Sequence, residues 1–444
     1  MTAALNHPIK LLDIAETILS LAKKQGAMET EVAVRTEKGF DIAVRHQDIE
    51  TLEHHQGQSV EITVYIDHKK GAASCSSFDT TALTEAVSKA ICFADYTSID
   101  PAAGLPDKSD CQYTPRHIQL MEPWPITIDQ ASREAIDCEA YALTLDKRIK
   151  QTESINIYSY HTSSILANSH GFFGQREGTT YGKSCCFIAE DDSGMQRDDE
   201  WTVARRASDL MPWDQLASKA VEKTVARLNP QKISTRNCPV IFAPSVAKSL
   251  FGHFFSAIAG GSLYRKNSFL LNSLGKNIFP EHLSIRQLPF IDFAISSASY
   301  DLDGIETKEQ FYVKAGIVEN YSLDCYAARK LNMQSTGNAG GVFNIHFETP
   351  KVSLMDLLKQ MNRGLLVTEL MGQSVNLITG HYSRGATGFW VENGEIQYPV
   401  AEVTVAGKLQ NIFKNIVAMA DDTDVRSSIC SGSVLIADMK VAGQ

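Results

Sequence analysis

Three short runs decide the fold class of the N-terminal half: TEVAVRT (30–36), FDIAVRH (40–46) and VEITVYID (60–67). Apolar and polar side chains alternate in each run, and this period of two predicts strands with one buried face. Charged or glycine-containing segments separate the runs. We therefore expect an antiparallel meander.

Helical patterns flank this meander on both sides. Residues 9–25 have apolar side chains at helical spacing, and Gly26 stands where such a helix would end. After the meander, Asp79 is placed to cap a second helix, TTALTEAVSKAICFA (80–94). The sequence thus predicts a helix-meander-helix unit.

The same order recurs after a connecting segment. Residues 97–126 contain five prolines and little periodicity, so we expect a domain boundary there. The chain then shows a helical pattern at 130–149, strand-like runs at 153–161, 178–191 and 200–206, and a helical pattern at 213–228. The recurrence fits a duplicated unit and equally fits two α+β units without shared ancestry.

The pattern changes beyond Pro230. CPVIFAP (238–244) predicts a buried strand, and Ser245 is predicted to cap an apolar helix that runs to about Ala259. Helical patterns return at SLMDLLKQMN (353–362) and GKLQNIFKNIVAMA (407–420), and SGSVLIADMKVAGQ (431–444) ends the chain with a strand-like run. We predict an α+β fold with two N-terminal helix-meander-helix units and a large C-terminal α+β domain of mainly antiparallel sheet. The expected domains are residues 1–110, 111–232 and 233–444.

Composition narrows the function classes. The 444 residues include 43% hydrophobic side chains, enough to fill several cores, and carry a formal net charge of −10. This charge argues against nonspecific attraction to nucleic acid or to anionic membranes. We expect no secretory signal and no membrane span, because charges interrupt the apolar pattern at the start and no long uncharged run follows. Nine cysteines without a Cys-x-x-Cys spacing favour reduced thiols and a cytoplasmic location.

One histidine lies on the apolar segment GHFFSAIAGGSLYRK (252–266). Two zinc ligands on one helix face need about one turn between them, but Ser249 and Ala257 stand four residues on either side of His253. The neighbouring pair His54–His55 would point to opposite faces of a strand. The residue types therefore predict no zinc site in this chain, although a site assembled from distant histidines and cysteines stays open.

Other candidate sites have structural alternatives of equal or greater weight. Cys430 is either a reactive thiol or, more commonly for this residue type, a buried structural cysteine. Asp301 and Asp303 either bind a cation or form a turn with Gly304, and STGNAGG (335–341) either cradles an anion or forms a tight turn. No nucleophile elbow and no phosphate-binding loop occurs in the sequence.

Two basic sites lie beside glycines. Arg265–Lys266 follows Gly260–Gly261, and Arg384 lies within TGHYSRGATGFW (379–390). An arginine in such a setting can hold a carboxylate, such as a peptide terminus or an acidic side chain, by paired hydrogen bonds. An internal salt bridge is the alternative for both sites.

Several long segments resemble the TldD/PmbA family, and its PmbA (TldE) branch in particular. They are residues 364–417 (GLLVTELMGQSVNLITGHYSRGATGFWVENGEIQYPVAEVTVAGKLQNIFKNIV), 250–276 (LFGHFFSAIAGGSLYRKNSFLLNSLGK), 327–341 (AARKLNMQSTGNAGG) and 439–444 (MKVAGQ). The resemblance runs from the opening helix to Gln444, with its most specific matches after residue 239. It implies a cytoplasmic peptide-cleaving assembly in which this type of subunit pairs with a TldD-type subunit.

The family resemblance also implies roles and a cofactor. The family is described as a modulator of DNA gyrase and is linked to leader removal from a peptide antibiotic and to antitoxin degradation. In the TldD branch, a helix with His-Glu-x-x-x-His holds the catalytic zinc. Registered on Gly261 and Arg265–Lys266, those three positions fall on Gly252, His253 and Ala257. The resemblance therefore implies a degenerate metal site, no catalytic residue and no cofactor bound by this chain, with zinc in the TldD-type partner.

The loop around Arg384 departs from the family in one residue. Similar sequences read Thr-Gly-Asp-Tyr-Ser-Arg-Gly, whereas His381 replaces the aspartate here and could make the local charge depend on pH. The candidate peptide or interface contacts are Arg265, Lys266, His381, Tyr382, Ser383 and Arg384.

Two functions follow as hypotheses. In the first, the chain is the non-catalytic half of a heteromeric metallopeptidase and forms part of a chamber in which extended peptides lie against strand edges. In the second, it is a homo-oligomeric regulator, related to gyrase modulation, that binds peptides or a protein without cutting them. We expect a peptide partner and a TldD-type subunit, with a homodimer as the alternative for the isolated chain, and no direct contact with nucleic acid or membrane.

Overall fold

The computed structural model describes residues 11–443. The expectations for residues 1–10, including the start of the opening helix and much of the segment examined for a secretory signal, lie outside the described residues, as does Gln444. No helix within residues 11–443 is long and apolar enough to cross a membrane.

The N-terminal half has two helix-meander-helix units, as the sequence predicts. The first consists of α1 (Leu11–Lys24), β1 (Glu29–Arg45), β2 (Asp48–Ile66), β3 (Lys69–Cys75) and α2 (Thr80–Tyr96). A short helix, α3 (Lys108–Cys111), lies in the connecting segment. The second unit consists of α4 (Ile128–Leu145), β4 (Ile149–Asn168), β5 (Phe173–Asp191), β6 (Gly194–Ala204), a 3₁₀ turn (Ala207–Asp209) and α5 (Trp213–Ala226). The Oδ1 atom of Asp79 accepts a hydrogen bond from the amide of Ala82, which confirms the predicted cap of α2.

The two units share one antiparallel sheet with the strand order β3-β2-β1-β4-β5-β6. Strands β1 and β4 join the units, with pairing from Glu31 opposite Asn168 to Val44 opposite Ile155. Helices α1 and α2 pack over one end of a single face, and α4 and α5 pack over the other end. The opposite face of the sheet is therefore left for the C-terminal domain and for solvent.

Strand β1 corrects one prediction from the sequence. The runs 30–36 and 40–46 are not two strands, because β1 continues without a turn through Glu37, Lys38 and Gly39. These three residues pair on both sides, with β2 and with β4, so that their backbone groups are satisfied within the sheet. The charged residues there mark an exposed part of a strand and not its end.

The turn that does end β1 is held by a buried carboxylate. His46 and Gln47 both adopt left-handed backbone conformations, each with φ of 57°, which is uncommon for residues other than glycine. The Glu139 carboxylate on α4 accepts hydrogen bonds from both amides, at 3.0 and 2.5 Å. Only 1% of Glu139 is exposed. Its charge-assisted hydrogen bonds thus compensate an unfavourable turn.

The C-terminal domain contains the remaining elements. Its strands are β7 (Arg236–Phe242), β8 (Ser284–Gln287), β9 (Gln310–Lys314), β10 (Ile317–Val318), β11 (Ile345–Glu348), β12 (Lys351–Val352), β13 (Gly364–Asn376), β14 (His381–Glu392), β15 (Glu395–Lys408), β16 (Ile416–Ala420), β17 (Ile429–Cys430) and β18 (Val434–Ala442). Its helices are α6 (Pro244–Ile258), α7 (Gly260–Tyr264), α8 (Cys325–Leu331), α9 (Leu354–Met361) and α10 (Leu409–Lys414).

These strands form two mainly antiparallel sheets, and the predicted α+β fold class is confirmed. The seven-stranded sheet has the order β12-β16-β18-β15-β14-β13-β7, and an extra pairing of β18 with β7 closes five of its strands into a ring. The second sheet has the order β10-β9-β8-β11-β17. Helix α6 shares one hydrophobic core with both sheets, so it lies at the centre of the domain.

Two further local predictions are wrong. Ser245 is not the cap of α6, because the helix begins at Pro244 with Ala243 in the capping position. Proline is favoured there because it needs no hydrogen-bond partner for an amide and its φ is already helical. The pattern at 407–420 is helical only from Leu409 to Lys414, and its second half is β16, which pairs with β18 and β12. A short apolar run cannot by itself distinguish a buried strand from a buried helix.

The connecting segment binds the two halves of the molecule together. Arg329 on α8 donates hydrogen bonds to the carbonyl oxygens of Ala102, Gly104 and Leu105. The Tyr113 hydroxyl donates to the carbonyl of Gly304 at 3.0 Å. The proline-rich stretch is thus ordered by contacts with the C-terminal domain. The predicted domain boundaries at 110–111 and 232–233 remain predictions.

Candidate functional site

Helix α6 positions the candidate site, and aromatic packing fixes its place. Phe251 lies 4.2 Å from Phe347 between ring centroids, Phe254 lies 5.0 Å from Phe279, and Phe255 lies 5.1 Å from Tyr312. Apolar side chains cover most of its circumference, as expected for a helix inside a large domain. The backbone that carries Gly252, His253 and Ala257 is therefore held on several sides.

Of the three positions that the resemblance assigns to a degenerate metal site, one has a side-chain atom that could bind a metal. Gly252 has no side chain, and a Cβ atom built there would meet no atom within 4 Å. Ala257 is fully buried and ends in a methyl group. Only His253 has a nitrogen that could bind a metal. The residues present do not fit a zinc ion, which in proteins takes three or four nitrogen, sulfur or oxygen ligands.

No other part of the described chain forms a metal cluster. Within residues 11–443, no three histidine, cysteine, aspartate or glutamate side chains come close enough to hold an ion. His54 and His55 lie next to each other in β2 and so point to opposite faces of the sheet, as predicted. His55 contacts Asp41 at 2.8 Å and takes no part in the α6 site.

His253 instead meets Tyr382 of β14. The two rings are edge to face, with centroids 5.9 Å apart and planes at 69°. The Nε2 atom of His253 and the Tyr382 hydroxyl are both buried, and neither has a hydrogen-bond partner within residues 11–443. Burial of two neighbouring polar atoms without hydrogen bonds costs free energy of folding. The pair is therefore a candidate functional feature.

Arg384 follows Tyr382 by two residues and lies on the same side of β14. Its Nε donates to the carbonyl of Met371 at 3.3 Å. No carboxylate within the described residues forms an ion pair with it, so the internal salt bridge considered for Arg384 is not formed there. Its side chain keeps a positive charge beside two buried polar groups.

The electrostatic environment keeps both ring systems neutral near pH 7. Burial lowers the pKa of the His253 imidazole below its ordinary value, and the positive charge of Arg384 lowers it further. Burial raises the pKa of the Tyr382 hydroxyl far above its ordinary value. The site therefore combines a neutral imidazole, a phenol and a guanidinium, a set suited to binding an anionic or carbonyl oxygen.

The other predicted contacts lie elsewhere. His381 and Ser383 alternate with Tyr382 along β14, and the exposed His381 ring contacts the Thr379 hydroxyl at 3.0 Å. Arg265 lies over the ring of Tyr264 at 4.9 Å and donates to its hydroxyl, and Lys266 follows the end of α7 with a φ of 58°. Both basic residues are exposed. No contact described for residues 11–443 links them to His253, Tyr382 or Arg384, so the structure brings together only three of the candidates.

The turn interpretations of Asp301 and the glycine-rich segment hold. The Asp301 carboxylate is buried and accepts hydrogen bonds from the amides of Asp303, Ile305 and Ala339 at 2.8–2.9 Å. Residues 335–341 form a turn in which Gly337, Gly340 and Gly341 adopt positive φ.

Cys430 is a structural cysteine. It is buried, and its Sγ atom lies 3.6 Å from the carbonyl of Ser427. Burial raises the pKa of the thiol to about 11, so little thiolate forms at neutral pH.

Sequence patterns did not reveal that Tyr382 faces His253. The two residues lie far apart in the chain, on a helix and on a strand of the ring, and only tertiary packing joins them. No local pattern around residues 381–383 indicates this contact.

Comparisons with known proteins agree with this fold. Residues 30–91, 122–228 and 235–443 match the models of domain 1, the central domain and the C-terminal domain of the PmbA/TldA metallopeptidases. Metalloprotease PmbA of Escherichia coli is 43% identical over 98% of this chain and 97% of its own length.

Two solved structures share the architecture. A proposed modulator of DNA gyrase from Bacteroides thetaiotaomicron superposes with a TM-score of 0.92 at 24% identity, over 98% of this chain and 99% of that protein. TldE from Thermococcus kodakarensis superposes with a TM-score of 0.83 at 21% identity, over 97% and 100%. At these identities the likeness establishes the fold alone.

Proposed function

The chain belongs to the PmbA/TldA metallopeptidase family, and from this premise we propose that it is the non-catalytic subunit of a heteromeric metallopeptidase. In this proposal a TldD-type partner binds the zinc and cuts the peptide. This chain holds part of the extended peptide and completes the chamber around it. A cytoplasmic location is part of the proposal and is supported by nine cysteines that are all free thiols.

The observation that carries the proposal is the composition of α6. The helix is held by buried aromatic contacts, yet Gly252 and Ala257 have no ligand atoms where the resemblance places histidines. His253 stands where that alignment places the glutamate that would act as general base. A chain with this helix would need its metal and its base from another subunit.

Peptide binding is supported by an open strand edge beside the site. Strand β13 pairs with β7 only from Leu365 to Val367, although it continues to Asn376. No other strand within the described residues pairs with this outer edge. Unpaired amides and carbonyls along such an edge can accept an extended peptide as an additional strand. Arg384 on the neighbouring β14 supplies a charge that suits a carboxylate of that peptide.

Reconstitution tests the proposal. The purified chain, a TldD-type subunit and their mixture would be compared for cleavage of an unstructured peptide, with and without a zinc chelator. We expect no cleavage by this chain alone and a chelator-sensitive increase when this chain is added to the partner. Chelator-sensitive cleavage by this chain alone would overturn the proposal. Stable capture of one uncut protein in the absence of the partner would instead favour the regulatory hypothesis.

A further inference from the structure

The outer face of the N-terminal sheet carries a cluster of tyrosines and carboxylates away from α6. We call it the tyrosine face and define it by Asp41 of β1, Glu53 and His55 of β2, and Tyr158 and Tyr160 of β4. Register places all five on the face opposite to the helices, because Asp41 lies opposite Glu53 and Tyr158 in the neighbouring strands. The C-terminal domain covers the other end of this face, where Tyr300 packs against Leu166.

The tyrosine rings lie flat on the sheet because glycines face them. Tyr160 is paired with Gly39, and Tyr158 is paired with Gly182. A Cβ atom at either glycine would lie within 2.6 Å of the opposing ring, so no other residue leaves room for it. The rings are 5.7 Å apart, and both tyrosines are only half-buried. Their outer faces are therefore available to a ligand.

Packing over glycine explains the rings but not the charges next to them. Asp41 and Glu53 are direct cross-strand partners, and like charges in that relationship repel. His55 lies between them, at 2.8 Å from Asp41 and 3.5 Å from Glu53. The side chains of both carboxylates are accessible, at 39% and 61% exposure. An additional cation would relieve this repulsion.

The surroundings select the kind of cation. Within residues 11–443 no group of histidine, cysteine, aspartate or glutamate side chains could hold a metal ion, and this includes the side chains of the tyrosine face. Aromatic faces beside carboxylates favour an ammonium or a guanidinium, which can lie over a ring and donate hydrogen bonds to a carboxylate at the same time. Tyr160 already directs its hydroxyl to Asp41, which keeps ring and carboxylate in a fixed relation.

We propose that the tyrosine face binds a basic side chain, arginine or lysine, of the peptide that the assembly processes. This inference rests on the proposed peptide-holding function and adds a specificity for positive charge. The acidic net charge of the chain favours the approach of such a peptide.

A pair of peptides tests this specificity without any change to the protein. An unstructured peptide with one arginine would be compared with the same peptide containing citrulline, which keeps the shape and loses the charge. Binding to the intact assembly would be measured by fluorescence anisotropy, and we expect the arginine peptide to bind about five- to tenfold more tightly. Equal affinities would overturn the inference and leave the proposed function standing. If neither peptide binds, both the inference and the proposed peptide-holding function are contradicted.

Variants then locate the effect. Asp41→Asn combined with Glu53→Gln keeps the shape of both side chains and should abolish the preference for arginine. The matched control is Glu177→Gln, because Glu177 also pairs with a histidine, His161 at 2.9 Å, but on the opposite face of the same sheet. The control should keep the preference. Loss of the preference in the control, or its retention in the double variant, would contradict the assignment to the tyrosine face.

Discussion

The imidazole of His253 and the phenol of Tyr382 meet edge to face with ring centroids 5.9 Å apart, and each has a buried polar atom without a hydrogen-bond partner in residues 11–443. Of the two, His253 occupies the position on α6 where the family resemblance places the catalytic glutamate, and Tyr382 contacts it from β14. Structural need alone does not favour unpaired polar atoms in a core.

Replacement of the unpaired Tyr382 hydroxyl should not lower the free energy of unfolding. Tyr382→Phe keeps the ring and removes a buried group that lacks a partner, so we expect the free energy of unfolding to stay the same or to rise by up to about 1 kcal/mol. The control is Tyr312→Phe, because Tyr312 is equally buried but donates to Gln287 at 3.2 Å. That change should cost about 1 kcal/mol. Urea denaturation measures both, and a larger loss for Tyr382→Phe than for Tyr312→Phe would contradict the assignment.

His253 should make stability depend on pH in one direction. Its pKa is lower in the folded chain than the value of about 6.5 expected in the unfolded chain. Below that pH the unfolded chain takes up a proton that the native state resists, so the native state loses stability as pH falls. His253→Gln should remove this component, and Arg384→Gln should reduce it. Denaturation between pH 5 and 8 checks the effect, and identical pH profiles for wild type and His253→Gln would refute it.

The turn between β1 and β2 should depend on Glu139. Glu139→Gln replaces a charged acceptor of two backbone amides by a neutral one, and we expect a loss of about 1–3 kcal/mol in the free energy of unfolding. Glu85→Gln, at an exposed position on α2, should change the free energy of unfolding by less than about 0.5 kcal/mol. Equal effects of the two substitutions in chemical denaturation would show that the turn does not need the carboxylate.

An ion-pair network should hold the second N-terminal unit to the C-terminal domain. Arg426 lies 2.8 Å from Asp424 and 2.6 Å from Glu200, and both carboxylate side chains are less than 10% exposed. Arg426→Ala would leave two buried charges with fewer partners, at a cost of about 3–5 kcal/mol. Arg363→Ala breaks the exposed pair with Glu392 and should cost less than about 1 kcal/mol. A cost for Arg426→Ala no greater than that for Arg363→Ala would count against the network.

The sequence predicted those features that depend on local patterns. Alternation of apolar and polar residues predicted the meanders, and the side chain of Asp79 predicted the start of α2. Spacing around His253 also indicated the lack of a zinc ligand set. Local patterns failed where pairing across the sheet decided the outcome, as for the unbroken β1 at Gly39 and the strand at 416–420.

The features that matter most for function come from tertiary packing. The contact of Tyr382 with His253 requires the ring of strands to close around α6, and the tyrosine face requires β1 and β4 to pair in one register. Neither relation has a signature in any short segment. Both depend on contacts between side chains that lie far apart in the chain.

The most direct test of the central claim is the zinc content of each subunit after this chain and a TldD-type partner are purified as one complex and then separated. We expect stoichiometric zinc in the partner and none in this chain, because Gly252 and Ala257 provide no ligands on α6. Stoichiometric zinc bound to this chain, lost on substitution of His253, would contradict it.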